Sequence, residues 1–205
     1  MEIVIATNNP NKVREIKRIY EMLCSEKRAF TKNTEFFTLK EKNLVCRVEE
    51  NGSTFAENSL IKAKAAAEKT SLAVLADDSG ICVDALGGAP GIFSNRFARE
   101  NDDAANRKKL LDMLREKGLT DARDRKAHFE CAMTLILPTG VFSASGTSDG
   151  YILDGESGGH GFGYDCIFYS DELDKSWGEA TDDEKNKVSH RARALKNVLE
   201  TAGLL

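Results

Sequence analysis

The sequence predicts a mixed α/β protein, and three observations carry that prediction. Short uninterrupted apolar runs, Ile3–Ala6 and Leu72–Ala76, end at polar turn residues and read as buried strands. Segments with three- and four-residue apolar spacing, each opened by a capping signal, read as helices. Two β-rich stretches, Phe129–Leu137 and Val141–Ser145, flank Pro138-Thr139-Gly140 and read as a hairpin. With helices early, a hairpin in the middle and a helix at the end, the order is not a regular βαβ repeat. The long hairpin can form a lobe of its own, with a cleft between it and the N-terminal layer. The 205 residues suit one domain, 1–205.

In chain order, Ile3–Ala6 breaks at Thr7-Asn8-Asn9, and Pro10 favours the first turn of a helix with Asn9 as cap. Val13, Ile16, Ile19, Tyr20 and Leu23 give that helix one buried face to about Leu23. From Lys27 to Glu50 the sequence predicts one strand near Glu35–Leu39 and otherwise charged loop. Thr54 and Glu57 have capping-box spacing at the start of a second helix, which runs through alanines to about Glu68. The strand Leu72–Ala76 is expected to stop at Asp77-Asp78-Ser79-Gly80, with a second apolar stretch at Ile81–Leu86 before the loop GGAPG. A third helix begins at Asp102 or Asp103, buries Leu110, Leu111 and Leu114, and ends at Gly118. After the hairpin, a strand near Tyr151–Leu153 leads into the glycine-rich run GESGGHGFGYD. One last helix is predicted over Asp182–Leu199, with Thr181 and Glu184 as its capping box.

Composition excludes several classes. Lys and Arg number 29 against 33 Asp and Glu, a formal charge of −4, so no global positive field holds nucleic acid or a membrane. Nothing approaches the roughly 18 apolar residues of a membrane span, and MEIVIATNN reads as a strand and turn rather than a leader. Five cysteines, with no CxxC, fit a reducing, cytoplasmic setting better than a disulfide scaffold. Cys82, Cys131 and Cys166 lie among apolar neighbours and read as small buried hydrophobes.

Four places can carry chemistry. Thr7, Asn8, Asn9, Pro10, Asn11 and Lys12 sit where a strand meets a helix, so unpaired N–H groups and one ammonium can cradle a phosphate. A simply well-capped helix is the equal alternative. Asp77 and Asp78 repel one another unless one is solvated, protonated or faces a cation, and such oxygens suit Mg²⁺ beside a substrate phosphate. An Asx-capped turn, closed at Gly80 with Ser79 as a donor, is the plainer reading. Glu57 is explained as a cap partner, whereas Glu50 has no such explanation; Lys62 is either a site lysine or a surface one. In Gly158–Asp165, Phe162 or Tyr164 can stack on a planar base while Gly163 allows close approach and Asp165 accepts from donors. Lys185, His190 and Arg191 can collect an anion, with Arg191 able to make a bidentate contact, or can line a solvated helix face. Together these patches suggest metal-assisted nucleotide phosphate chemistry.

The same residues carry a resemblance. ATNNPNKVREI, ENGSTFAENSLIKAKAAA, LADDSGICVDALGGAPGIFSNRFA, GHGFGYDCIF and KNKVSHRARAL occur in an order that resembles the non-canonical purine nucleoside triphosphate pyrophosphatase family, also called inosine triphosphatase or XTP/dITP diphosphatase. The resemblance spans almost the whole chain. It implies an elongated mixed sheet flanked by helices, with two lobes around a central cleft. It further implies hydrolysis of ITP, dITP and XTP to the monophosphate and pyrophosphate, with Mg²⁺ as cofactor, and a homodimer. By motif match, Thr7–Lys12 would hold the triphosphate, Asp78 would be the base, and Glu50 and Asp78 the magnesium ligands. Lys62, Ser79, Phe162, Gly163, Tyr164, Asp165, Lys185, His190 and Arg191 would contact substrate. The chain departs from the family pattern at Asn8, at Cys166 and in LDGES. A related pyrophosphatase for modified pyrimidine nucleotides and a non-catalytic nucleotide-binding protein are the alternatives.

Overall fold

A computed structural model describes residues 1–26 and 34–205; the loop predicted over 27–33 lies outside the described residues. Among the described residues the seven strands are β1 (Glu2–Ile5), β2 (Glu35–Thr38), β3 (Ala73–Val83), β4 (Lys126–Leu137), β5 (Gly140–Ile152), β6 (Phe168–Ser170) and β7 (Lys175–Ser176). They form a mixed sheet in the order β2-β1-β3-β4-β5-β6-β7. β1 is parallel to β2 and β3, while β5–β6 and β6–β7 are antiparallel. The helices are α1 (Pro10–Glu26), α2 (Phe55–Ala67), α3 (Asp103–Glu116), α4 (Asp182–Val188) and α5 (His190–Thr201). Among the described residues no helix is long and apolar enough to cross a membrane.

The chain divides into two compact units. Unit 1 comprises Met1–Asp78, Cys131–Gly146 and Arg191–Leu205. β1 from Ile3 on and the first half of β3 are buried on both faces, and side-chain alternation sorts them. Ile3, Ile5, Ala73 and Leu75 join Ile16 and Ile19 of α1 and Leu195 and Val198 of α5 in one cluster. Val4, Ala6, Val74 and Ala76 join Ala63 and Ala66 of α2 in another. The alanines of α2 let that helix lie close to the sheet, which explains a helix with so little bulk on its buried face.

Unit 2 comprises Ser79–Glu130 and Thr147–His190. Its core gathers Ile81 and Val83 of β3, Leu110, Leu111 and Leu114 of α3, and an aromatic group of Phe129, Phe168 and Trp177. Phe129 stacks on Trp177 at 4.8 Å between centroids and meets Phe168 edge-on at 4.9 Å, geometries that aromatic quadrupoles favour.

The capping signals read in the sequence are present. The Thr54 side chain accepts from the Glu57 N–H, the Asp102 side chain from Ala105, and Thr181 with Glu184 forms a full capping box. Four expectations need correction. The hairpin forms no lobe of its own: its tip, Cys131–Gly146, belongs to unit 1 and the rest of its strands to unit 2. The apolar strand does not stop at Asp77; β3 runs unbroken to Val83 because both carboxylates find cations, as described below. The second hairpin strand and the strand near Tyr151 are one element, β5. The predicted last helix breaks at Ser189, whose ψ of 149° is extended, so α4 and α5 are separate.

Candidate active site

In unit 1 the alternation of β3 carries on past its apolar half. Asp77 follows Ala73 and Leu75, so it points to the side of α1 and α5; Asp78 follows Val74 and Ala76, to the side of α2. Two adjacent carboxylates thereby receive different partners.

Asp77 is fully buried. Its Oδ2 lies 3.0 Å from Lys12 Nζ and 3.4 Å from Arg191 Nη2. Arg191 also pairs with Glu15 of α1. Burial alone would raise the Asp77 carboxyl, but Lys12, Arg191 and Lys62 together hold it well below the ordinary carboxylate range. Lys12 is brought there by the start of α1. Asn9 Oδ1 accepts from the N–H groups of Asn11 at 2.9 Å and Lys12 at 3.4 Å, and Thr7 Oγ1 accepts from the Asn9 N–H at 3.2 Å. The cap reading of this segment is therefore realised in the structure, and it aims the Lys12 side chain at β3. Asn8 is exposed and Asn11 half-buried beside it.

Asp78 is 6% exposed. Lys62 Nζ donates to its Oδ1 at 2.6 Å and lies 3.4 Å from Glu50 Oε1, so both carboxylates named in the sequence converge on one ammonium group. Asn58, fully buried, donates to Asp78 Oδ2 at 3.3 Å while its own Oδ1 takes the Gly52 N–H at 2.9 Å. Burial raises the Asp78 carboxyl above its ordinary value against the opposing pull of Lys62 and Lys12. Lys62 is driven down by burial but raised overall by Asp78, Asp77 and Glu50, so it stays an ammonium.

Asn58 and Glu15 were not singled out in the sequence. Asn58 had a signal, since it lies four residues before Lys62 on α2 and so shares its face. Glu15 had none, because its partner is 176 residues away.

In unit 2 the glycine loop is built around Asp165, which is 2% exposed. Its Oδ2 accepts from the Phe162 N–H at 2.8 Å and from Lys185 Nζ at 2.6 Å. Gly161 sits at φ +76°, and a Cβ there would fall 2.1 Å from that carboxylate oxygen. Lys185 Nζ also stands 5.0 Å from the ring centroids of Phe162 and Trp177. His190 stacks on Phe129 at 4.8 Å and on Trp177 at 5.5 Å. Tyr164 is buried and donates its hydroxyl to Ser94 O at 2.8 Å, and burial pushes its phenol up. Gly163 donates its N–H to Asp103 at 2.8 Å and accepts from Arg107. Ser79 is half-buried in β3.

The residues singled out in the sequence thus form one group in unit 1 (Thr7–Lys12, Glu50, Lys62, Asp78 and Arg191) and another in unit 2 (Phe162–Asp165, Lys185 and His190). In unit 1 the buried carboxylates are matched to ammonium and guanidinium groups on an α/β frame.

The sequence model of the Ham1 family matches residues 3–201, and the chain belongs to that family. It is 41% identical over 202 residues to a dITP/XTP pyrophosphatase of Campylobacter jejuni, covering 96% of this chain and 94% of the relative. To the Bacillus subtilis dITP/XTP pyrophosphatase it is 42% identical over 199 residues, with the same coverage. Among solved structures, the Staphylococcus aureus Ham1 protein matches with a TM-score of 0.78 at 41% identity, over 100% of this chain and 98% of that one. A HAM1 protein from Coxiella burnetii matches with a TM-score of 0.82 at 34% identity, over the full length of both.

Proposed function

We propose that this protein hydrolyses non-canonical purine nucleoside triphosphates, dITP, ITP and XTP, to the monophosphate and pyrophosphate, and so cleanses the nucleotide pool. The observation that carries this reading is the whole-length likeness to two relatives named dITP/XTP pyrophosphatases, at 41% and 42% identity. The geometry supports it. Four carboxylates (Glu15, Glu50, Asp77, Asp78) face three cations (Lys12, Lys62, Arg191) in unit 1, leaving an excess of negative charge for a divalent ion to meet.

Glu50 and Asp78 fit Mg²⁺ by chemistry. Both are hard oxygen donors, and both already converge on one cationic group. Mg²⁺ takes one or two such carboxylates and fills its other positions with water and phosphate oxygens. When bound, the ion neutralises triphosphate charge and makes water a better nucleophile. Asp78 is the base: Lys62 holds Oδ1, which leaves the outer lone pair of Oδ2 to take the proton from water attacking the α-phosphorus. Thr7–Lys12 hold the phosphates, with Lys12 supplying charge. Arg191 locks Asp77, and through it the register of Asp78.

In unit 2 we assign Phe162, Gly163, Asp165, Lys185 and His190 to the purine, with Ser79 as a further contact. Phe162 is the half-exposed ring of the glycine loop and stacks, while Tyr164 serves by anchoring the loop through Ser94. Lys185 is a donor suited to a 6-keto oxygen, and the 6-amino group of adenine would meet it donor to donor. The resemblance also carries a homodimer and a cytoplasmic setting, the latter supported by five free cysteines; sedimentation of the pure chain tests the first. A nucleotide panel tests the activity: turnover of dITP, ITP and XTP well above dATP and dTTP supports it. Preference for a modified pyrimidine, or tight binding without turnover, overturns it.

A further inference from the structure

Cys82, His128 and Glu130 lie within unit 2, and their thiol, imidazole and carboxylate donor atoms all sit within 4.8 Å of one another. We propose that these three side chains bind one zinc-class divalent cation, with water in the fourth position, at a site separate in residues and in chemistry from the carboxylates assigned to Mg²⁺.

Strand alternation builds the cluster. Ile81 and Val83 face the core with no exposure, so Cys82 between them points to the other face of β3. Phe129 and Ala127 are buried in the same core, so His128 and Glu130, two residues apart on β4, share the opposite face. The backbone that carries the donors is fixed: Phe129 stacks with Trp177 and His190, and Cys82 bridges to Pro90. Donors on packed strands are held more tightly than donors on loops.

None of the three side chains has a hydrogen bond or ion pair to another described residue. Three polar, half-buried groups left without protein partners, and aimed at one another, are the pattern a ligand completes. The donor set selects the ion. One thiolate, one imidazole and one carboxylate suit Zn²⁺, which takes sulfur at about 2.3 Å and nitrogen or oxygen at about 2.0–2.2 Å, three protein ligands leaving one open position. Mg²⁺ does not take thiolate. Binding forms the metal–sulfur bond as the S–H proton passes to solvent, so one proton is released per ion from that group.

Cobalt titration of the metal-free, full-length protein, without nucleotide, tests this directly. The expected result is one equivalent of Co²⁺ bound with thiolate-to-cobalt charge-transfer absorption, displaced by Zn²⁺ and unaffected by excess Mg²⁺. Cys82→Ser should abolish that absorption, while Cys24→Ser and Cys166→Ser keep it. His128→Gln, on the half-exposed face, should weaken binding by at least roughly 100-fold, since even outer-shell partners are worth about 10–100-fold. Circular dichroism checks that each variant is folded; if Cys82→Ser is not, blockage of Cys82 alkylation by Zn²⁺ in the parent replaces it. No thiolate band in the parent, a band that survives Cys82→Ser, or parental affinity in His128→Gln each overturns the site.

Discussion

At the scale of single residues, the two neighbouring aspartates of β3 have opposite electrostatic fates, and each fate gives a prediction. Asp78 is raised by burial, so a base at that position must lose its proton above the ordinary aspartate value of about 3.9. The acid limb of kcat/KM should therefore fall at a pH above the ordinary aspartate range, and Asp78→Asn should lose roughly 10²–10⁴-fold in turnover while remaining folded. Parental turnover in a folded Asp78→Asn protein contradicts the assignment. Asp77 is lowered, so its ionised form stabilises the fold fully above about pH 3.9 and that contribution fades as pH falls further. Asp77→Asn should cost roughly 3–5 kcal/mol because it strips a buried pair of its anion, toward the low end since Arg191 keeps Glu15. Urea melts at pH 7 and pH 3 check both points: the gap between parent and variant should narrow in acid, and a gap that widens refutes the linkage.

The element scale shows what the sequence could and could not disclose. Helix starts were legible because capping is local: Thr54 with Glu57, Asp102 with Ala105, and Thr181 with Glu184 lie within three residues of each other. The turn structure at Thr7–Lys12 and Phe162–Asp165 was legible for the same reason, as turn residues and glycines announce themselves. The continuation of β3 was not. A pair of aspartates normally ends a buried strand, and here the cations that permit it come from Lys12, Lys62 and Arg191, the last 114 residues from Asp77. Gly80 misled in the same way. It serves no turn; a Cβ there would sit 2.4 Å from Gly91 O and Ser94 Oγ, so glycine lets the strand pass close to that loop. Gly80→Ala should cost about 1–3 kcal/mol, the usual range for overpacking, read as a lower urea midpoint. An unchanged midpoint would show that the segment from Gly91 to Ser94 yields without cost. Thr181→Ala should lose about 1 kcal/mol through its capping box, without a change in the slope of the urea transition.

For the whole molecule, the net charge of −4 matters because the substrate is itself an anion. Under the proposed function, a negative protein binds a triphosphate only where local cations and a divalent ion reverse the field, the role proposed for the array around Asp77 and Asp78. Rigorous chelation should therefore abolish turnover and added Mg²⁺ restore it, while the melting temperature moves little because Lys12, Lys62 and Arg191 already neutralise the buried carboxylates. The central claim is narrower than metal dependence: one cut, between the α and β phosphates, with Asp78 as base. The measurement that meets it most directly is the time course of products from dITP and Mg²⁺, resolved by ion exchange, for the parent and Asp78→Asn in parallel. Pyrophosphate and dIMP should rise together from the first time point in the parent and be nearly absent in the variant. Orthophosphate appearing first, with dIDP accumulating, would contradict the account.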